Sequence, residues 1–114
     1  MANYIPDLDR AFAALSDPTR RAIISRLCDG PKTVGELSEP FDLALPSLLK
    51  HVQVLEQSGL ITSEKHGRVR TCKITPDALR ATEAWIRQHI SEWESRLDRL
   101  AAHVDRMKRN IDHE

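Results

Sequence analysis

Apolar residues recur along this chain at spacings that change from segment to segment, and the changes mark its elements. Leu8, Phe12 and Leu15 fall at i, i+4 and i+7, which predicts one face of a short helix. In "SDPTRRAIISRLCDGP" Asp17 is placed to accept from free backbone N–H groups as an N-cap. Pro18 suits a first helical turn, and Gly30-Pro31 ends the helix, with Ala22, Ile23 and Leu27 facing inward. "TVGELSEPF" opens on a capping box, Thr33 three residues before Glu36, and runs only two turns before Pro40.

The stretch "LALPSLLKHVQVLEQSGLI" predicts a fourth helix from about Leu45 to Ser58, started by Pro46 and closed by Gly59. At about 100° per residue, Leu48, Val52 and Leu55 form a core stripe. Ser47, Lys50 and Val54 point away from it, and His51 lies on the border. The period then becomes two: Leu60, Thr62 and Glu64, followed by Val69, Thr71 and Lys73, read as two strands with His66-Gly67 at the hairpin tip. Thr75-Pro76 begin a last helix, in which Ile86, Ile90, Trp93, Leu97, Leu100, Val104, Met107 and Ile111 alternate gaps of four and three. Such a seam asks for a partner helix. It predicts a homodimer interface, with Leu8 and Phe12 of the first helix joining in.

Three helices followed by a hairpin make a helix-turn-helix with a wing. The expected fold is therefore mainly α, about five helices and a two-stranded wing. It forms one domain over residues 1–114, with a core at 8–75 and a dimerisation helix at 76–111. A length of 114 residues suits a single core. The opening "MANYIPDLDR" has neither the apolar run of a signal peptide nor that of a membrane span, so a cytoplasmic protein without a membrane partner is expected. Two cysteines, Cys28 and Cys72, are too few for a disulfide scaffold.

Net charge is zero, but its distribution is uneven. Residues 1–43 hold 5 Lys or Arg and 7 Asp or Glu, residues 44–75 hold 5 and 2, and residues 76–114 hold 7 and 8. The positive excess thus coincides with the fourth helix and the hairpin, as expected for a protein that meets a phosphate backbone. A DNA-reading helix needs an apolar side to lock it to its scaffold and small polar or basic side chains on the other. Pro46, Ser47, Lys50, His51 and Val54 are the candidates on the helix, and Lys65, His66, Arg68 and Arg70 those on the wing. The amides at the helix start are a candidate phosphate site. There is no phosphate loop, no set of catalytic triad residues and no cofactor motif, so an enzyme is not expected.

"AFAALSDPTRRAIISRL", "TVGELSEPFDLALPSLLKHVQVLEQSGLI" and "HGRVRTCKI" together resemble the ArsR-type winged-helix repressors over roughly residues 8 to 75. The resemblance implies a homodimeric bacterial repressor that binds a palindromic double-stranded DNA operator and is released by an effector or partner. It carries DNA contacts onto Ser47, Lys50, His51 and Arg68. Two positions depart from the family: Ala44 and Leu49 stand where serines are common, and a missing N-cap weakens the helix start by about 1 kcal/mol.

The family's metal positions depart too. Ser38 and Pro40 stand where a Cys-x-Cys pair would bind, and around His89 the matching positions are Arg87, Leu100 and His103, so no metal is expected. A redox switch through Cys28 or Cys72, each beside a basic residue (Arg26 or Lys73), is one alternative. A winged-helix interaction module without DNA binding is another, motivated by neutral charge and by Leu49 on the exposed side.

Overall fold

In the computed structural model, which describes residues 6–112 and their side chains from Leu8 onward, eight elements follow in order. They are α1 (Pro6–Leu15), α2 (Pro18–Leu27), β1 (Lys32–Thr33), α3 (Val34–Ser38), α4 (Leu45–Gln57), β2 (Ile61–His66), β3 (Val69–Ile74) and α5 (Pro76–Asp112). The helix starts follow their caps. Asp17, in extended conformation, accepts from the Arg20 amide at 3.0 Å with Pro18 in the first turn. Thr33 and Glu36 exchange the two reciprocal bonds of a capping box at 3.1 and 2.9 Å. The donated Arg20 amide holds the Asp17 carboxyl below its ordinary pKa, and the Thr33 amide does the same for Glu36. Both contributions to stability are therefore present above the ordinary carboxylate range and are lost as pH falls through the lowered folded values.

The stripe of α4 is the centre of the core: Leu48, Val52 and Leu55 are 0–1% exposed. They share one cluster with Ile23 and Leu27 of α2, Leu37 of α3 and Ile61 of β2, because α4 packs on α1, α2, α3 and β2. The inward face of α2 is Ile23, Ile24 and Leu27, with Ala22 only half-buried. Since α2 packs on β3 as well as on α4, two adjacent residues are covered from two sides. On α1 the fully buried residues are Ala11 and Ala14; Leu8, Phe12 and Leu15 are half-buried. Two alanines on the contact face bring α1 close to its neighbours, which pushes the larger side chains to the margin.

The sheet has three strands in the order β1-β3-β2, all antiparallel, one more than the hairpin expected from the pattern. Lys32 and Thr33 pair with Cys72 and Thr71, and two residues are too few to show a period of two. The hairpin tip also shifts by one residue. His66 pairs with Val69, so the turn is Gly67-Arg68, with Gly67 at φ +63° and, among the described residues, no non-glycine residue at positive φ. A positive φ at the first central position alone is the pattern of a type II′ turn, which matches the twist of the strands. Gly59, at φ +82°, closes α4.

The described residues form two compact units, divided between Thr82 and Glu83 and so inside α5. In the first unit Ala78 and Leu79 pack against the core and the Thr82 hydroxyl donates to the Ala78 carbonyl at 2.9 Å. The second unit is a single run of helix. Its apolar seam, Ile86 through Ile111, is 41–67% exposed. Among the described residues no helix is long and apolar enough to cross a membrane.

Ala44 occupies the N-cap of α4 at φ −66°, ψ 146° without a side-chain bond. That backbone suits a serine cap, so Ala44→Ser is expected to stabilise the fold by about 1 kcal/mol. Urea unfolding should show a raised midpoint with an unchanged slope; an unmoved midpoint would mean that the helix start is already fully satisfied.

Candidate nucleic-acid interface

The free side of α4 begins with Pro46, Ser47, Leu49 and Lys50, all exposed. The amides of Ser47 and Leu48 both donate to the Ala44 carbonyl, at 3.0 and 3.2 Å. They close the first turn, so these two amides do not stand open at the helix start. Ser47 and Lys50 lie about 60° apart on the wheel, and Gln53 follows Lys50 by another 60°. Gln53 is exposed and is a third polar group on this edge. Periodicity alone contained that signal, through its spacing from Lys50, although it escaped the reading of the sequence.

His51 is placed differently. Its side chain is 23% exposed, and its Nδ1 lies 3.3 Å from Arg20 Nη1. A guanidinium has only donors, so a hydrogen bond here has Nδ1 as the acceptor, from the tautomer that carries its proton on Nε2. The Asp17 carboxylate lies 3.9 Å from the same nitrogen, too far for a hydrogen bond, and its Oδ2 already accepts from the Arg20 amide. Arg20 also donates through Nε to the Ala14 carbonyl at 2.7 Å and through Nη2 to the Ala13 carbonyl at 3.3 Å. Arg21 donates to the Leu15 carbonyl at 2.7 Å. The two arginines of "DPTRR" therefore bind carbonyls of the last turn of α1, of which that of Ala13 also accepts from the Ser16 amide and hydroxyl.

On the wing, Lys65, His66 and Arg68 are exposed, with Arg68 in the turn itself. His66 Nε2 is 3.3 Å from Glu64 Oε2, an exposed pair that offsets part of the local positive charge. Arg70 is half-buried and committed inward: its Nη1 donates to Ser63 Oγ at 2.7 Å, and Ser63 donates in turn to Glu56 Oε1 at 2.7 Å. This relay joins β3 through β2 to α4. Above it lies a shallow cleft lined by Leu49, Gln53 and Glu56 from the helix and Lys65 and Arg70 from the hairpin. Leu49, out of place as a DNA-reading residue, thus lines the seam between helix and wing.

The expected residues do not all come together. Pro46, Ser47 and Lys50 are exposed on α4, and Lys65 lines the cleft with Leu49 and Gln53 of the same helix. Val54 lies between Ser47 and Lys50 on the wheel, one turn beyond Lys50, and it also lines a groove with Arg10 and Ala13 of α1. Cys72 is fully buried, and burial pushes its thiol pKa up, with Glu56 adding to the effect and Arg70 opposing it. The proposed thiolate at Cys72 is therefore disfavoured, since its neighbour Lys73 alternates to the opposite face of β3 and burial outweighs Arg70. Cys28 is exposed. Among the described residues no three His, Cys, Asp or Glu side chains gather as metal ligands. His89 donates through Nδ1 to the Trp85 carbonyl at 2.8 Å and stacks on the Trp85 ring at 4.0 Å.

A family model described as a helix-turn-helix domain matches residues 15–64, the span from the end of α1 into β2. The chain is 40% identical over 73 residues to the HTH-type transcriptional regulator Rv2034 of Mycobacterium tuberculosis, covering 64% of this chain and 68% of that one. It is 29% identical over 90 residues to the transcriptional repressor SdpR of Bacillus subtilis, covering 79% of this chain and 100% of the repressor. Among solved structures, the crystal structure of an ArsR-family transcriptional regulator superimposes with a TM-score of 0.77 at 53% identity, covering 83% of this chain and 98% of that one.

The two thiols should differ in reactivity as their burial does. With a chromogenic disulfide reagent on the native protein, Cys28 is expected to react within the mixing time and Cys72 only at the rate of unfolding. Rapid release of both thiols would show that the sheet opens far more readily than its packing implies.

Proposed function

The chain belongs to the ArsR family of winged helix-turn-helix transcriptional regulators, and from that premise we propose that it is a cytoplasmic homodimeric repressor binding a palindromic operator through α4 and the wing. The observation that carries this reading is the continuous polar and basic edge running from Ser47, Lys50 and Gln53 of α4 across the cleft to Lys65, with His66 and Arg68 at the exposed tip of the same hairpin. In a helix-turn-helix the second helix enters the major groove with its N-terminal residues toward the bases. Ser47, Lys50 and Gln53 would then meet base edges and phosphates, with Pro46 holding the start of the helix. Lys65 and His66 would meet the backbone, and Arg68 a minor groove flanking it.

Arg70 serves this surface by bracing the wing, and Val54 stands at its far end, one turn beyond Lys50 and beside the groove to α1. The exposed seam of α5, Ile86, Ile90, Trp93, Leu97, Leu100 and Val104 with Met107 and Ile111, supports pairing with a second copy, because a heptad stripe left in water is unfavourable. Leu8 and Phe12, half-buried on α1, are the second patch offered to that copy. Release of the operator is assigned to an effector other than the family's metals, since Ser38, Pro40, Arg87 and Leu100 supply none of the needed ligands.

Salt-titrated binding to the promoter of the protein's own operon tests the reading. A specific complex with a steep salt slope is expected, and absence of binding at low salt would leave an interaction module instead. Arg68→Ala is expected to weaken that complex by about 1 kcal/mol or more and to lower the salt slope by about one, with the dimer intact. Unchanged affinity would remove the wing from the interface. Leu97→Glu, at the middle of the seam, should give a monomer in sedimentation equilibrium and cost operator affinity, as the two half-sites are no longer read together; a dimer that persists would place self-association elsewhere.

A further inference from the structure

His51 sits on the helix that would read DNA, next to Lys50, and its position alone would class it as a contact to the operator. Its chemistry argues otherwise. Arg20 Nη1 can only donate, so the Nδ1 lone pair is used up within the protein, 3.3 Å from a guanidinium whose other two arms hold the Ala14 and Ala13 carbonyls. The same residue's amide donates to the Asp17 cap of α2. Arg20 is therefore a junction at which the end of α1, the start of α2 and one residue of α4 meet. The core stripe of α4 resists displacement of the helix but allows small rotations about its axis. A bond at His51, on the border of the stripe about 60° from Leu48 and about 40° from Leu55, opposes rotation.

We propose that His51 is a positioning residue and not a DNA contact: through Nδ1 it receives Arg20, and this bond sets the rotation of α4 that presents Ser47, Lys50 and Gln53. Rotating α4 by one contact would carry Lys50 away from the edge it shares with Lys65, so operator recognition depends on Arg20 although Arg20 reaches no DNA. The inference rests on the repressor reading above and adds to it a route by which movement of α1, the helix next to Arg20, is felt by the reading helix.

The two nitrogens of the ring can be tested separately, because an asparagine amide reproduces the position of Nδ1 and a glutamine amide that of Nε2. His51→Asn, His51→Gln, Arg20→Lys and the pair Arg20→Lys with His51→Gln are compared with the wild type on own-promoter DNA and on a scrambled duplex. Thermal unfolding of each confirms a folded dimer. The expected result is that His51→Asn binds the promoter within about threefold of wild type, whereas His51→Gln and Arg20→Lys each lose roughly tenfold and the double variant loses little more than either, as residues in one network do. Binding to the scrambled duplex and the salt slope should stay unchanged in all four, since no phosphate contact is removed. The reverse order, with His51→Gln retaining affinity and His51→Asn losing it, would make His51 a DNA contact through Nε2 and overturn the proposal. Equal affinities for the two would overturn it as well. A wild type that does not distinguish promoter from scrambled DNA would instead overturn the repressor reading, and this inference with it.

Discussion

The fork of hydrogen bonds from Arg20 is the constraint on which the arrangement of the helices turns. A helix that stops leaves carbonyls without partners, and α1 stops at Leu15 with α2 starting only three residues later. Such a short connection brings the first turn of α2 beside the last turn of α1. Arg20 and Arg21 are then within reach of the Ala13, Ala14 and Leu15 carbonyls, while the Arg20 amide meets the Asp17 cap. One residue thus closes two helix ends. The remaining arm reaches His51 and brings in α4, so the three helices that carry the core are joined at a polar point as well as by apolar packing.

A second polar connection holds the wing. Strand alternation puts Ser63, Lys65, Arg70 and Cys72 on one face of the hairpin, and the register sets Ser63 opposite Cys72 and Lys65 opposite Arg70. Cys72 enters the core on that face, and Arg70, two residues nearer the tip, reaches Ser63 and through it Glu56. Lys65 and Arg70 thus stand at the same level of the hairpin, yet Arg70 is engaged through Ser63 while Lys65 is exposed, as are His66 and Arg68 nearer the tip. A basic residue that fixes geometry and one left exposed, Arg70 and Arg68, are only two positions apart in the chain.

Much of the fold was legible without coordinates because its signals are local. Asp17-Pro18, the Thr33/Glu36 box, Pro46 and Gly59 mark boundaries through contacts within one turn, and Leu48, Val52 and Leu55 announce their common face by spacing alone. The positive excess of residues 44–75 pointed to the segment that carries the exposed polar and basic residues of α4 and the hairpin. What was missed has equally plain causes. Two residues of β1 show no period, the tip of the hairpin depends on which pair closes the ladder, and the inward face of α2 depends on a strand that arrives some 45 residues later.

The sequence by itself determined the helix starts and stops, the core stripe of α4, the hairpin and the apolar seam of α5, since each follows from residues three, four or two apart on one element. Only the tertiary structure decided the partners of the chemically versatile side chains. Nothing local says that His51 meets Arg20 across 31 residues, that Arg70 turns inward to Ser63, or that Val54 shares a groove with α1. Those outcomes depend on the angles at which whole elements cross, and the angles are set by many small packing contacts at once. Histidine and arginine have bonding partners to choose among, so for them a place on a helix or strand is compatible with either support or recognition until the neighbouring element is in position.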